Sequence, residues 1–577
     1  MKIFSLAVFA FLVSPFCFSQ TSYKLTWGEE MKLKKGTADL DIMAADNTGL
    51  YFTEKRRAKT MFSVGAPPSA YKLYKMDQNF GEVFDKEYKK ELKGLDFQSF
   101  QSLGNDLFLF ATDYQRKERT FKVYGAKIDK NSGDLLGDFA ELGSYELETK
   151  RDDYDMKVSP IHNGNAFLMV SNISGSDRVS LGVCLLDKSL KKVGNTVINL
   201  SFNPDLYQLQ DVQYTKNNKI ILLGKEYEEA QIGKKKKKRL VFKQYVMGIY
   251  NTNGEKEKDV VMDADDRYVI SGKLIEQPTG ELLLAGFYSN AAKKDDLNGF
   301  FINKVDPIKG VLLLSSFKDI NSGMLGKSYE DAADDDDELK ESKKLSQKAK
   351  DDDDEEDFPN SFTIKSVDIN PADNSIIITS EVSRYSFYSY VNSTYNSTTR
   401  TWTRTTTYVH RFTNQDILVI NADQGGNIKW LNALPKSQLE EIRTTSNSYG
   451  SGFSLDYDRS GYFAVGGGMP YYSSYKSLIH NNNLVLLLND HTSNNVNPEY
   501  GDRVRTVSNF RKRSNIYGVS IDLATGKMTR KTIASNNDET ILMPRHAFVV
   551  NNQVVVPSWR QHLMAKTELK FAKIFVK

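Results

Sequence analysis

Strand–turn–strand pairs recur along nearly the whole chain, in units of about 55 to 60 residues that each hold two hairpins. With the four strands of a unit labelled a to d, the a–b turns fall at Asn47-Thr48-Gly49, Gly104-Asn105, Asn163-Gly164-Asn165, Asn217-Asn218, Pro278-Thr279-Gly280, Asp373-Asn374, Asn481-Asn482-Asn483 and Asn551-Asn552. The c–d turns fall at Asn79-Phe80-Gly81, Asn131-Ser132-Gly133, Asn253-Gly254, Gln424-Gly425-Gly426 and Ala524-Thr525-Gly526. Asn and Gly are the residues that tolerate the positive φ a tight hairpin demands. Such units predict an all-β fold, a β-propeller of about eight four-stranded blades, because radial repetition leaves only short, protected sheet edges. The units begin near residues 38, 94, 152, 206, 267, 361, 473 and 540. The last supplies strands a, b and c, and Tyr23 to Leu33 supply its strand d, so the two chain ends pair in one blade. Seven blades are the alternative, since the boundary between residues 440 and 475 is weakly marked.

Strand c often ends in an aspartate, as at Asp129, Asp187, Asp306 and Asp522. At a hairpin this residue type caps backbone N–H groups more often than it binds metal. No loop has the DxDxDG spacing of a calcium site, so neither a metal nor another cofactor is expected.

Met1-Lys2, an apolar stretch from Ile3 to Phe18 and Ser19-Gln20 have the layout of a secretory signal, with residues 1–19 removed and 20–577 forming one propeller domain. Phe16 stands before Cys17 where a lipoprotein site wants a small residue. Nothing later is apolar enough for a bilayer span, and a monomer in the periplasm or outside the cell is expected. Cys184 then stands alone in an apolar strand, which excludes an intrachain disulfide framework. The balance of 77 Lys and Arg against 74 Asp and Glu creates no global field, so no nucleic-acid partner is expected.

Long insertions occur only at b–c and d–a connections: Arg56 to Ser69, Glu226 to Arg239, Tyr288 to Asn298, Asn321 to Pro359, Arg384 to Thr413, Leu439 to Tyr472 and His491 to Arg513. In an up-and-down blade both connections emerge on one side, which predicts an elaborated upper face and a plain lower one. Residues 384–413, rich in Tyr, Thr and Ser around Asn396-Ser397-Thr398, predict a protruding hairpin. Its Tyr385, Tyr395, Trp402, Arg404 and Tyr408 are candidate binding residues, because aromatics with hydroxyls give large contact area with few rotors. Packing on the rim is the competing role. Lys236 and Lys237, in the block Lys234 to Arg239, are candidates for an acidic partner on a solvated loop. The acidic clusters within 321–359 predict disorder, since they cannot bury enough apolar area to offset ordering entropy.

Catalytic motifs are absent: there is no HExxH pair, GxSxG elbow, Walker loop or dinucleotide fingerprint. Asp263, Asp265, Asp266 and Arg267 precede a strand a and form either a surface turn or part of a site at the central opening. The stretches Trp430 to Gln438, Tyr472 to Tyr475, Leu484 to Asp490 and Ile541 to Arg545 resemble uncharacterised exported propeller-like proteins of Gram-negative bacteria. That resemblance covers the final quarter, implies an envelope or secreted protein and offers no catalytic residue. The expected function is a binding or scaffolding module that engages an envelope protein or glycan through its upper face. The alternative is a glycan- or peptide-acting enzyme at the central opening.

Overall fold

A computed structural model describes residues 21–577 apart from 34–36, 47, 57–69, 150–151, 162–163, 176–178, 233–236, 291–296, 321–354, 358–360, 399, 446–461, 464–468, 496–503, 537–540, 551–552 and 561–567. The signal-like stretch, Lys236 and most of the acidic insertion therefore lie outside the described residues. The described chain forms eight antiparallel sheets arranged as an eight-bladed propeller. Blades 1 to 7 span residues 37–87, 96–146, 153–200, 207–263, 268–319, 361–434 and 475–535. Blade 8 joins residues 541–576 to 23–32.

Strand position within a blade follows from burial. Strands b and c are covered on both faces by neighbouring blades, and their sequences are almost wholly apolar: Leu282–Ser289 is buried at every residue. Strand d of the same blade, Val311–Asp319, faces water and is exposed or half-buried throughout. Strands a are innermost. Thr37–Asp46, Asp96–Leu103 and Asp153–Pro160 touch in succession, as do Tyr268–Glu276 and Ser361–Ile369.

An apolar cluster fills each gap between blades. Phe108, Phe110 and Phe167 meet edge-to-face between blades 2 and 3, with ring centroids 5.0 and 5.4 Å apart. Leu50 and Phe52 of blade 1 share a cluster with Trp559 and Phe571 of blade 8, so the ring has no open gap. Closure is made by main-chain pairing: Tyr23–Trp27 lies antiparallel to Ala572–Val576, and Ser22 and Lys577 exchange two backbone hydrogen bonds of 3.0 Å. Tyr23 also reaches across to blade 7, where Gly518 leaves room for its ring; a Cβ there would lie 2.3 Å from Tyr23 Cζ.

The lower face is built from short turns that cap themselves. The side chains of Asp77, Asp129, Asp187, Asn251, Asp306, Asp423 and Asp522 each accept a backbone N–H two residues on. The aspartates that end strand c are thus hairpin caps. Among the described residues no group of three or more His, Cys, Asp or Glu side chains is placed to hold a metal ion. Asp522 accepts from Ala524 N at 3.1 Å and from Thr525 N and Oγ1 at 2.8 Å. Asp522→Ala is expected to cost roughly 1–2 kcal/mol in urea unfolding, with Asp522→Asn losing less than half of that.

Candidate functional site

Among the described residues the longest strands belong to blade 6. Its strands b and c, Ile376–Asn396 and Thr401–Ala422, run far beyond the blade as one continuous hairpin. In an antiparallel pair, opposed residues point to the same side. The pairs Tyr385↔Phe412, Phe387↔His410, Ser389↔Tyr408, Val391↔Thr406, Ser393↔Arg404 and Tyr395↔Trp402 therefore share one face. All five hairpin residues singled out from the sequence lie on it.

Burial along this face is graded. Tyr385 at the base is only 8% exposed, packs with Phe412 in the cluster that reaches Tyr471 and Trp559, and has its hydroxyl 3.0 Å from His410 Nδ1. Tyr385 is thus a core residue, the rim-packing role weighed for it above. Tyr408 is half-buried and stacks on Phe387. At the tip, Val391 is 57%, Tyr395 50% and Trp402 69% exposed, the last two rings 5.2 Å apart, with Arg404 exposed beside them.

The base is braced on both edges. Glu355–Asp357, inside the acidic insertion, pairs with Ser386–Tyr388, and Gln438–Thr445 pairs with Thr407–Asn414. The second of these was read from sequence as part of a loop. Tyr388 donates to Glu441 Oε1 at 3.3 Å, and Arg443 holds the same carboxylate at 2.8 Å. Among the described residues no strand pairs with the rungs from Val391↔Thr406 to Asn396↔Thr401, a two-stranded ribbon of about 20 Å.

A buried polar network anchors the bracing strand. Lys436 Nζ lies 2.6 Å from Glu381 Oε1, both side chains fully buried between blades 6 and 7. Lys365 at 3.1 Å and the Ser474 hydroxyl at 2.6 Å hold the other oxygen. Burial alone would raise the Glu381 carboxyl, but the Lys436 and Lys365 ammoniums outweigh it and keep it below its ordinary range. Glu440 accepts from the backbone N–H of Tyr471, Tyr472 and Ser473 at 2.7 to 2.9 Å. On blade 7, Asp490 pairs with Arg530 at 2.8 Å, and Asn489 donates to the carbonyls of Tyr472 and Leu542. The stretches that carried the family resemblance converge here. Lys436, Gln438, Ser474, Asn489 and Asp490 carry no local pattern that points to one another, since they come from separate strands and connections; a charge inside an apolar strand, as at Glu381, was the available signal.

The other sequence candidates fall elsewhere. Lys237 lies in a strand, since strands Ile220–Ile232 and Lys237–Tyr250 pair to their ends at Ile232↔Lys237. Lys237 thus opens one strand of a second extended hairpin, and the rest of the expected solvated loop, Lys234 to Lys236, lies outside the described residues. Asp263 caps Asp265 N at 3.0 Å, and Arg267 stacks over Phe317 and Tyr288 at 4.5 and 5.3 Å, so this cluster is a packed turn.

The inner strands carry a further group of contacts. Side chains of the inner strands reach sideways to the next blade's edge carbonyls: Gln213 to Leu274 O at 3.0 Å, Lys273 to Lys365 O at 3.1 Å and Ser271 to Phe362 O at 2.6 Å. These contacts satisfy edges that no further strand covers.

No protein-family model and no curated protein matches the chain. Solved structures with similar architecture include the β-propeller domain of the Trilobed protease from Pyrococcus furiosus, 8% identical with a TM-score of 0.30, covering 73% of this chain and 99% of that one. An α-L-arabinanase from Penicillium chrysogenum is 9% identical with a TM-score of 0.28, covering 51% and 98%. Prolyl oligopeptidase B from Galerina marginata is 9% identical with a TM-score of 0.27; the match covers 63% of this chain and only 37% of that enzyme. Likeness at this level says nothing about activity. Among the described residues no helix is long and apolar enough to cross a membrane.

Proposed function

We propose that the protein is an exported binding or scaffolding propeller of the cell envelope, which engages a protein partner with the tip of the blade 6 hairpin. The observation that carries this reading is the graded aromatic face. It is anchored in the core at Tyr385 and ends in Val391, Tyr395 and Trp402, all half or more exposed, beside Arg404. Large amphipathic rings with a nearby guanidinium are the residue types that dominate binding energy at protein interfaces. A base braced by two strands holds the ribbon in one direction, so little ordering entropy opposes docking. The signal-like start of the sequence and the family resemblance support an envelope or extracellular setting.

The test is capture from envelope extract with Tyr395→Ser/Trp402→Ser. A loss of at least tenfold in recovered partner is expected, since two exposed aromatic anchors are worth about 2–4 kcal/mol together. Unchanged recovery contradicts the reading, and recovery of glycan in place of protein replaces the partner class.

A further inference from the structure

The connection between blades 6 and 7 does more than join them. Tyr462 sits on the far side of the ring, against the inner strands of blades 3 and 4, and is only 4% exposed. Its backbone N–H donates to Leu209 O at 2.9 Å, on strand a of blade 4, Tyr207–Tyr214. Its carbonyl accepts from Lys157 Nζ at 2.9 Å, on strand a of blade 3. The same ammonium stands 4.3 Å from the centre of the Tyr462 ring. The ring joins the cluster of Tyr207 and Val212, with Ile161 and Leu209 half-buried around it. Phe463 lies beside it edge-on at 5.1 Å.

These contacts bind one residue through its main chain and its ring together. Both backbone groups of one residue, itself in a turn, are bonded by groups of the inner strands, and the side chain fills a slot between blades 3 and 4. Lys157 supplies a cation over an aromatic face together with a donor to a peptide carbonyl, a pairing that selects an aromatic residue within a peptide.

We propose that the inner edge of blades 3 and 4 is a binding site for a turn-forming peptide segment bearing an aromatic side chain, and that Tyr462-Phe463 is its resident intramolecular occupant. An incoming segment competes with an occupant tethered to the same ring. Tethering gives the resident an effective concentration of order millimolar, so the site in the unaltered protein binds added peptide about 10- to 100-fold more weakly than an emptied site does. This site is separate from the hairpin tip and stands or falls independently of it.

The experiment titrates full-length protein with N-acetyl-Tyr-Phe-amide by calorimetry, with N-acetyl-Gly-Gly-amide as control. Tyr462→Gly/Phe463→Gly is expected to bind the aromatic dipeptide about 10- to 100-fold more tightly than the unaltered chain. Adding Lys157→Met should remove about tenfold of that gain, as a desolvated cation–π contact and its hydrogen bond are lost. Neither protein should bind the glycine dipeptide. Equal affinity in the two proteins, or equal affinity for the two dipeptides, overturns the proposal. Tyr462→Ala provides a milder variant should the double glycine form fail to fold. Unfolding of both, read by circular dichroism, would make Tyr462 a structural strut and overturn it as well.

Discussion

Glu381→Gln is expected to destabilise the protein by about 3–5 kcal/mol, because it leaves the Lys436 ammonium buried without its counter-charge. Lys436→Met should also destabilise, but by less, because Lys365 still pairs the other Glu381 oxygen at 3.1 Å. The double change Glu381→Leu/Lys436→Met should fall well below the sum of the two, since a buried ion pair replaced by apolar side chains of like size is near neutral. Urea unfolding of the four proteins forms a cycle that isolates the pair. Additive losses would show that the two charges do not compensate each other.

The same pair sets an acid response. The Glu381 carboxyl lies below its ordinary value of 4.5 in the folded protein, so the unfolded chain binds its proton more readily. Its stabilising contribution is complete above pH 4.5 and is lost as the pH falls through the folded value. Unaltered protein should therefore lose stability on acidification below that point, and Glu381→Gln should lose less. Identical acid slopes would contradict a charged Glu381.

Removing residues 21–33 is expected to open the ring. Strand Glu568–Val576 would then present an unpaired edge, and the apolar cover given by Tyr23, Leu25 and Leu33 would be gone. The loss is roughly 3–6 kcal/mol from the side chains alone, and the bare edge should drive association into dimers and larger species. A peptide of residues 21–33 added in trans should restore the monomer. Gly518→Val should act in the same direction more weakly, by pushing the Tyr23 ring off blade 7. A truncated protein that stays monomeric with an unchanged melting point would refute closure by the chain ends.

Closure was legible in the sequence because it rests on local signals. Turn residues mark each hairpin, and counting strands leaves the last blade one short, with Tyr23 to Leu33 to complete it. The caps at Asp129 and Asp522 were legible for the same reason: their partners lie two and three residues away. The hairpin of blade 6 was legible as a hairpin, but the fate of its aromatics was not. Tyr385 and Tyr395 occupy equivalent positions in one alternating pattern, and only the packing of the base against Phe412 and its cluster separates the core residue from the exposed one. The polar network was hidden altogether. Glu381, Lys436, Ser474 and Asp490 come from separate segments, and nothing near any one of them announces the others. Tyr462 was hidden too, since its partners Lys157 and Leu209 belong to blades on the opposite side of the ring.

These parts form one chain of cause. The network fixes strand Gln438–Thr445, and that strand braces the base of the hairpin, whose aromatic face runs from the core at Tyr385 to the exposed tip at Trp402. The directional claim that follows is that partners meet the upper face at the hairpin tip. A photo-crosslinking amino acid at position 402 tests it most directly, set against the same group at position 136, an exposed residue on the lower-face turn of blade 2. Irradiation in the presence of envelope extract should yield a discrete protein adduct from position 402 and none from 136. Adducts from 136 alone, or equal labelling from both, would contradict a function that resides at the hairpin tip.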